Sequence, residues 1–206
     1  MSSQESDYIK TIVDDGTVFI DVGAYVGNTV VAIAPRVSKV VAIEAYFKNF
    51  CQLVQNIQSH NLSNVIPLCL AAWNKREIIP LYLPDLTTFG KRRYHRFRFW
   101  TKWVGGDSAT VLPSGDKVCV VYGVPLDNVF DLLSISPSLI KIDVTLSEFK
   151  VLEGLRNTIK KTRPTILLVT VRDKEVVEKE VQKYNMTAVK IHCDNDYLEA
   201  HGWLCR

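Results

Sequence analysis

Hydrophobic positions along this chain fall into two periods that take turns. Apolar runs at 18–22, 39–44, 65–71, 139–144 and 165–171 suit strands covered on both faces. Between them, apolar residues recur every three or four positions, as in helices with one inward side. These stretches are 29–34, 46–60 (Phe47, Phe50, Leu53, Val54, Ile57), 126–133, 147–160 (Phe149, Leu152, Leu155, Ile159) and 174–184. A helix over 4–14 precedes them, with Tyr8, Ile9, Ile12 and Val13 on one side and a turn at Asp15-Gly16 behind it. Pro35 should end or bend the first crossover helix near Arg36, and Ser147 reads as an N-cap. Strand-like segments at 77–83, 118–122 and 187–193 complete the pattern, with 197–206 as an added edge strand. Strand, helix, strand, helix, strand in that order predicts an α/β fold: a parallel sheet joined by right-handed crossovers.

Composition narrows this picture. At 206 residues the expectation is one domain over 1–206. No apolar run reaches membrane-spanning length, and the N-terminus lacks a basic stretch followed by an apolar block. Five scattered cysteines do not form a disulfide framework, so a reducing, cytoplasmic setting is expected. His192, Cys193, His201 and Cys205 match no common metal-ligand spacing, and no metal is expected.

The net charge of +3 conceals an asymmetry: residues 91–103 hold Lys91, Arg92, Arg93, Arg96, Arg98 and Lys102 with no acid. The remainder of the chain is net acidic, so the basicity is local. Cations alternate there with Tyr94, Phe97, Phe99, Trp100 and Trp103, within an insert at about 85–116. One reading is a loop that embraces an anion, with Arg93, His95, Arg96, Arg98 and Ser108 as substrate contacts; the other is a solvated flap whose rings pack inward. Nucleic acid, a phosphosugar or a membrane surface would each supply the anion.

The chemistry concentrates where the first strand turns. Gly23 and Gly27 follow Val18-Phe-Ile-Asp-Val22, and glycine allows a sharp turn and close approach of a ligand. The second strand ends on Glu44, placed as a ribose-binding carboxylate is in nucleotide-binding α/β units. Asp21 would repel a pyrophosphate but not a ligand with a cationic amino-acid end. Together Asp21 and Glu44 favour S-adenosylmethionine over a nicotinamide dinucleotide. Asp143 is the first candidate for a base or for positioning an acceptor, against a purely structural acid. Asp127 is expected to cap the short helix that follows it, and Lys141 to snorkel from its strand to the surface.

These residues resemble the FkbM family of S-adenosylmethionine-dependent methyltransferases. The matching segments are Phe19-Ile-Asp-Val-Gly-Ala-Tyr-Val-Gly27, Ala42-Ile-Glu44, Leu70-Ala71, Pro125-Leu-Asp127 and Ile140-Lys-Ile-Asp-Val144, followed by Phe149-Lys-Val-Leu-Glu-Gly154 and Arg163-Pro-Thr-Ile-Leu-Leu-Val-Thr170. The resemblance implies the class I methyltransferase fold, a Rossmann-like doubly wound sheet, mostly parallel, with an antiparallel edge strand. It implies S-adenosyl-L-methionine as cofactor. Asp21, Gly23, Ala24, Tyr25, Gly27 and Asn28 would line the methionine end, Glu44 and Ala45 the ribose, and Leu70 and Ala71 the adenine. Asp143 would face the reactive methyl. The family usually has Asn where Tyr25 stands, Glu-Pro at Glu44-Ala45, Glu-Gly at Thr145-Leu146, and Glu at Thr170. The last two departures remove acids from the acceptor side.

Three functions follow from this reading. The first is O-methylation of a sugar, glycan or other small-molecule hydroxyl. The second is methylation of nucleic acid through 91–103, weakened by the lack of an Asn/Asp-Pro-Pro-Tyr/Trp signature. The third is a cofactor-binding module without catalysis.

Overall fold

A computed structural model of the chain describes residues 3–83, 117–144, 147–169, 173–191 and 202–206. Helix α1 (Ser3–Ile12) leads into β1 (Val18–Val22), α2 (Asn28–Ile33) and β2 (Lys39–Glu44). A 3₁₀ turn at Ala34–Arg36 ends α2, as Pro35 requires. Helix α3 (Phe47–Ser59) and β3 (Val65–Cys69) follow. The chain then leaves the main sheet for β4 (Ala71–Ala72), β5 (Glu77–Leu83) and β6 (Lys117–Val124). It returns through α4 (Leu126–Leu133) to β7 (Leu139–Ile142), α5 (Glu148–Glu153), α6 (Arg156–Thr162) and β8 (Thr165–Val169). Helix α7 (Lys174–Gln182), β9 (Ala188–Ile191) and β10 (Gly202–Cys205) complete it.

Seven strands form the main sheet in the order β3-β2-β1-β7-β8-β10-β9, parallel except for β10. The mostly parallel α/β fold expected from the sequence is the one observed. Both faces are covered, so side chains alternate between two cores. Phe19, Val40, Ala42 and Leu139 meet Ile9 of α1, Val30 and Ile33 of α2, and Leu53 and Ile57 of α3. Ile20, Val22, Val41, Ile43, Ile140 and Ile142 meet α4, α5, α6 and α7 on the other face. Burying each of the Val, Leu, Ile and Phe side chains among these contributes about 1.5–3 kcal/mol. Strand order reverses beside β1: β2 and β3 lie on one side, β7 and β8 on the other. Open α/β sheets bind ligands at the carboxyl ends of the strands flanking such a reversal.

Several local expectations are corrected. The terminal strand is not outermost; β10 slides between β8 and β9, bonding Leu204 to Leu167 on one side and Val189 on the other. The run 65–71 divides at Leu70, because Ala71 and Ala72 pair with β6 in a separate three-stranded sheet, β4-β6-β5. Strand β5 lies at the edge of that sheet, the position in a sheet where proline is tolerated, and carries Pro80. One face of the β5–β6 pair exposes Ile78, Val120 and Tyr122.

The single helix expected over 147–160 is two, α5 and α6, broken at Gly154-Leu155. A Cβ at Gly154 would lie 2.0 Å from the Trp73 carbonyl oxygen and 3.2 Å from Pro125 Cα, so backbone occupies the space. The break exposes the start of α6, and Asp127 caps it there rather than capping its own helix. Its carboxylate accepts from the Asn157 amide (2.9 Å), the Thr158 amide (2.8 Å) and the Thr158 hydroxyl (2.7 Å). Ser147 takes the N-cap position of α5 without a side-chain cap bond. A Gly154→Ala substitution is expected to destabilise the fold by about 1–3 kcal/mol in urea unfolding, the cost of overpacking against backbone that cannot rotate away. An unchanged midpoint would contradict this packing.

Candidate active site at the carboxyl end of the sheet

The first turn is built so that backbone, not side chain, lines the mouth between β1 and β7. Gly23 has φ +83°, and a Cβ there would meet the Asp143 carbonyl oxygen at 2.0 Å. The turn is anchored on β2: the amides of Gly23 and Ala24 both donate to the Ile43 carbonyl at 2.9 Å. Tyr25 then takes a left-handed backbone, φ +54°, which costs a residue with a Cβ about 1–2 kcal/mol. That conformation aims the Tyr25 amide at Glu44 Oε2, 2.9 Å away. Gly27 (φ +91°) closes the turn into α2 with Asn28 as its first residue, and Leu53 Cδ1 occupies the space where a Cβ would sit. From α3, the Asn56 side chain donates to the Val26 carbonyl at 2.7 Å and pins the loop from behind.

Glu44 sits at the tip of β2, beside this loop and almost buried. Its Oε1 accepts from the Tyr46 amide at 2.9 Å, with the Asn49 amide group at 3.5 Å. Burial pushes its carboxyl up to about 7, against the opposing pull of the Tyr46 and Tyr25 amides. Ala45 continues directly from it, half-buried. Leu70 and Ala71 follow β3, the strand beside β2, and Leu70 packs against the core.

Asp21 is placed differently from an open ligand-facing acid. It lies on the face of β1 covered by α1, fully buried, and opposite Lys141 in the β1–β7 register. Lys141 does not snorkel outward; it too is fully buried, and its Nζ donates to Asp21 Oδ1 at 3.0 Å. The same ammonium is 3.5 Å from Glu5 Oε1 on α1 and 3.6 Å from Asp143 Oδ2, just beyond β7. Burial alone would depress the Lys141 pKa, but Asp21, Glu5 and Asp143 outweigh it and hold the ammonium charged well above its ordinary value. Burial raises the carboxyls of Asp21 and Glu5, against the attraction of Lys141. Asp21 Oδ2 and Glu5 Oε1 are buried and accept no hydrogen bond among the described residues. Asp143 forms the open end of the cluster, its side chain 20% exposed and its amide donating to the Val22 carbonyl at 2.9 Å.

The structure thus brings Asp21, Gly23, Ala24, Tyr25, Gly27, Asn28, Glu44 and Asp143 to one end of the sheet. Arg93, His95, Arg96, Arg98 and Ser108, the basic run 91–103, and the departures at Thr145, Leu146 and Thr170 lie outside the described residues. So do His192, Cys193 and His201, while Cys205 is buried in β10. Among the described residues no cluster of three or more His, Cys, Asp or Glu could hold a metal, and no helix is long and apolar enough to cross a membrane. Glu5 and the burial of Lys141 escaped sequence reading. The available signal was an opposite-charge pair at matching positions in two otherwise apolar strands, Phe-Ile-Asp21-Val and Leu-Ile-Lys141-Ile.

The family model described as Methyltransferase FkbM domain matches residues 21–204. No curated protein sequence matches. Among solved structures, an FkbM methyltransferase from Methylobacillus flagellatus KT superposes with TM-score 0.62 at 15% identity, covering 93% of this chain and 44% of that one. The chain therefore spans less than half the length of that relative. An rRNA methylase from Streptococcus thermophilus gives TM-score 0.54 at 10% identity, covering 98% of this chain and 92% of that one. M. jannaschii TYW2 in complex with AdoMet gives 0.52 at 13%, covering 100% and 75%. At these identities the likeness is one of fold.

Replacing Lys141 by Met would leave Asp21, Glu5 and Asp143 facing one another without a counter-charge. Removing one partner of a buried ion pair costs about 3–5 kcal/mol. The buried carboxyls of Asp21 and Glu5, already raised by burial, would sit further above their unfolded values, so the folded state would hold protons the unfolded chain has lost. Stability from such groups is present at low pH and lost as pH rises through the folded pKa. Lys141→Met should therefore be much less stable than the parent in urea at pH 8 and closer to it at pH 5. Equal stability at pH 8 would contradict the ion cluster.

Proposed function

This chain belongs to the FkbM methyltransferase domain family, and we propose that it transfers a methyl group from S-adenosylmethionine to a hydroxyl of a sugar, glycan or other small molecule. The observation that carries this reading is the carboxylate of Glu44 beside the Gly23–Gly27 turn, at the carboxyl ends of strands where the sheet order reverses. The residues fit the cofactor. Among the described residues Oε2 of Glu44 accepts only from the Tyr25 amide, so a lone-pair direction is left for a ribose hydroxyl. Three carboxyls, Asp21, Glu5 and Asp143, stand against the one ammonium of Lys141, an excess of acid at the region beyond β1 and β7 that suits a cation. The AdoMet bound by a relative of the same fold is consistent with this use.

When bound, the cofactor supplies an electrophilic methyl on a sulfonium sulfur. Glu44 orients the ribose, and the turn from Gly23 to Asn28 receives the methionine end. Leu70 and Ala71 offer apolar surface to the adenine. Asp143, the exposed member of the charge cluster, positions the acceptor hydroxyl or accepts its proton.

Titration calorimetry tests the cofactor half. Wild type should bind S-adenosylmethionine, and Glu44→Ala should weaken it at least about tenfold, as loss of a charged hydrogen-bond acceptor predicts. Ribose hydroxyls favour the ionised carboxylate, so binding lowers a pKa that starts at about 7 and releases a proton. Affinity should rise with pH up to about 7 and then level off, and this dependence should vanish in Glu44→Ala. A wild-type chain indifferent to the cofactor would contradict the proposal.

The basic, aromatic-rich run 91–103 favours a second reading, with nucleic acid as acceptor, and an rRNA methylase shares the fold. Radiolabelled methyl transfer over glycans, small hydroxyl compounds and RNA separates the two. Label on a glycan or small hydroxyl compound supports the first reading. Label on RNA, with binding that weakens steeply as salt rises, replaces it with the second.

A further inference from the structure

The cluster around Lys141 holds three carboxylates against one ammonium. The third carboxylate comes from Glu5 on α1, which precedes the family-matched span 21–204. Asp21 is fully buried with Oδ2 accepting no hydrogen bond among the described residues, and Glu5 Oε1 has there only its ion pair with Lys141 at 3.5 Å, so one ammonium faces all three carboxyls. Among the described residues Asp143 is the most exposed member of the cluster, and its backbone carbonyl abuts Gly23 in the turn after β1. The excess of acid acts on the charge of whatever sits beyond Asp143.

We propose that Glu5 is a specificity-determining residue: its charge makes the Asp21–Lys141–Asp143 cluster anionic enough to favour the sulfonium cofactor over its neutral thioether product. The inference rests on the proposed use of S-adenosylmethionine. In the transfer, the acceptor oxygen forms a bond to the methyl carbon and the carbon–sulfur bond breaks. Its electron pair stays on sulfur, and the acceptor proton passes to a base. The sulfur thereby loses its positive charge, and the product S-adenosylhomocysteine loses the attraction that held the substrate. Helix α1 thus supplies one arm of the discrimination between a cofactor to be kept and a product to be released.

Calorimetric affinities for S-adenosylmethionine and S-adenosylhomocysteine at pH 8, in wild type, Glu5→Gln and Glu5→Asp, test this. One unit charge within about 10 Å, at an effective dielectric near 20, alters affinity for a cation on the order of tenfold. Glu5→Gln should weaken the sulfonium compound by about that factor while the thioether changes less than about twofold, and Glu5→Asp should keep most of the wild-type ratio. If Glu5→Gln weakens both compounds alike, or neither, the residue is only structural and the proposal falls. Wild type binding neither compound would instead overturn the cofactor reading beneath it, and the two failures are told apart by the wild-type titration alone.

Discussion

A single buried ammonium sets the character of this end of the molecule. Lys141 is fully buried between β1 and β7, and the favourable part of its environment is carboxylate: Asp21 at 3.0 Å, with Glu5 and Asp143 at 3.5 and 3.6 Å. The cost of desolvating such a pair is several kcal/mol per ion, and it is offset only by close contact and further bonding. A purely apolar pair at these two positions would pack β1 on β7 as well. What the ion cluster adds is a fixed field at the mouth between the strands, and a tie from α1 to the two strands that flank the reversal of sheet order.

Glu44 meets the opposite situation one strand away. Among the described residues no cation faces it; two backbone amides and Asn49 do, and burial holds its carboxyl near neutrality. The bond from Tyr25 requires that residue to adopt a left-handed backbone, which aromatic residues seldom do. Strain at a ligand loop, and an acid poised near neutral pH, are features that surrounding structure must support. Here the support is the doubled bond to the Ile43 carbonyl and the clasp from Asn56.

The sequence reveals element types well where period and length agree. The buried-type runs at β1, β2, β7 and β8 and the amphipathic stretches at α3, α4 and α7 are of this kind. It is silent on order within the sheet, since a terminal strand looks the same whether it sits outermost or between β8 and β9. The break at Gly154 is hidden because the apolar spacing runs through it, while the Trp73 backbone that packs against Gly154 comes from a distant part of the chain. Asp127 caps a helix thirty residues away for a related reason, since that helix start exists only because of the break. Of the candidate site, the positions of Gly23, Gly27 and Glu44 at the turn and the strand tip were legible because they follow from local sequence. Asp21 was legible as an acid but not as the partner of Lys141, and Glu5 not at all, because a lysine inside a strand is ordinarily expected to reach water.

The central claim is that the turn after β1 and the carboxylate ending β2 together form a nucleoside pocket. A crystal structure with S-adenosylhomocysteine tests it most directly. The account predicts the ribose hydroxyls on Glu44 and the amino-acid end over the turn from Gly23 to Gly27. A nucleoside bound elsewhere, with Glu44 still bonded only to Tyr25, Tyr46 and Asn49, would contradict it.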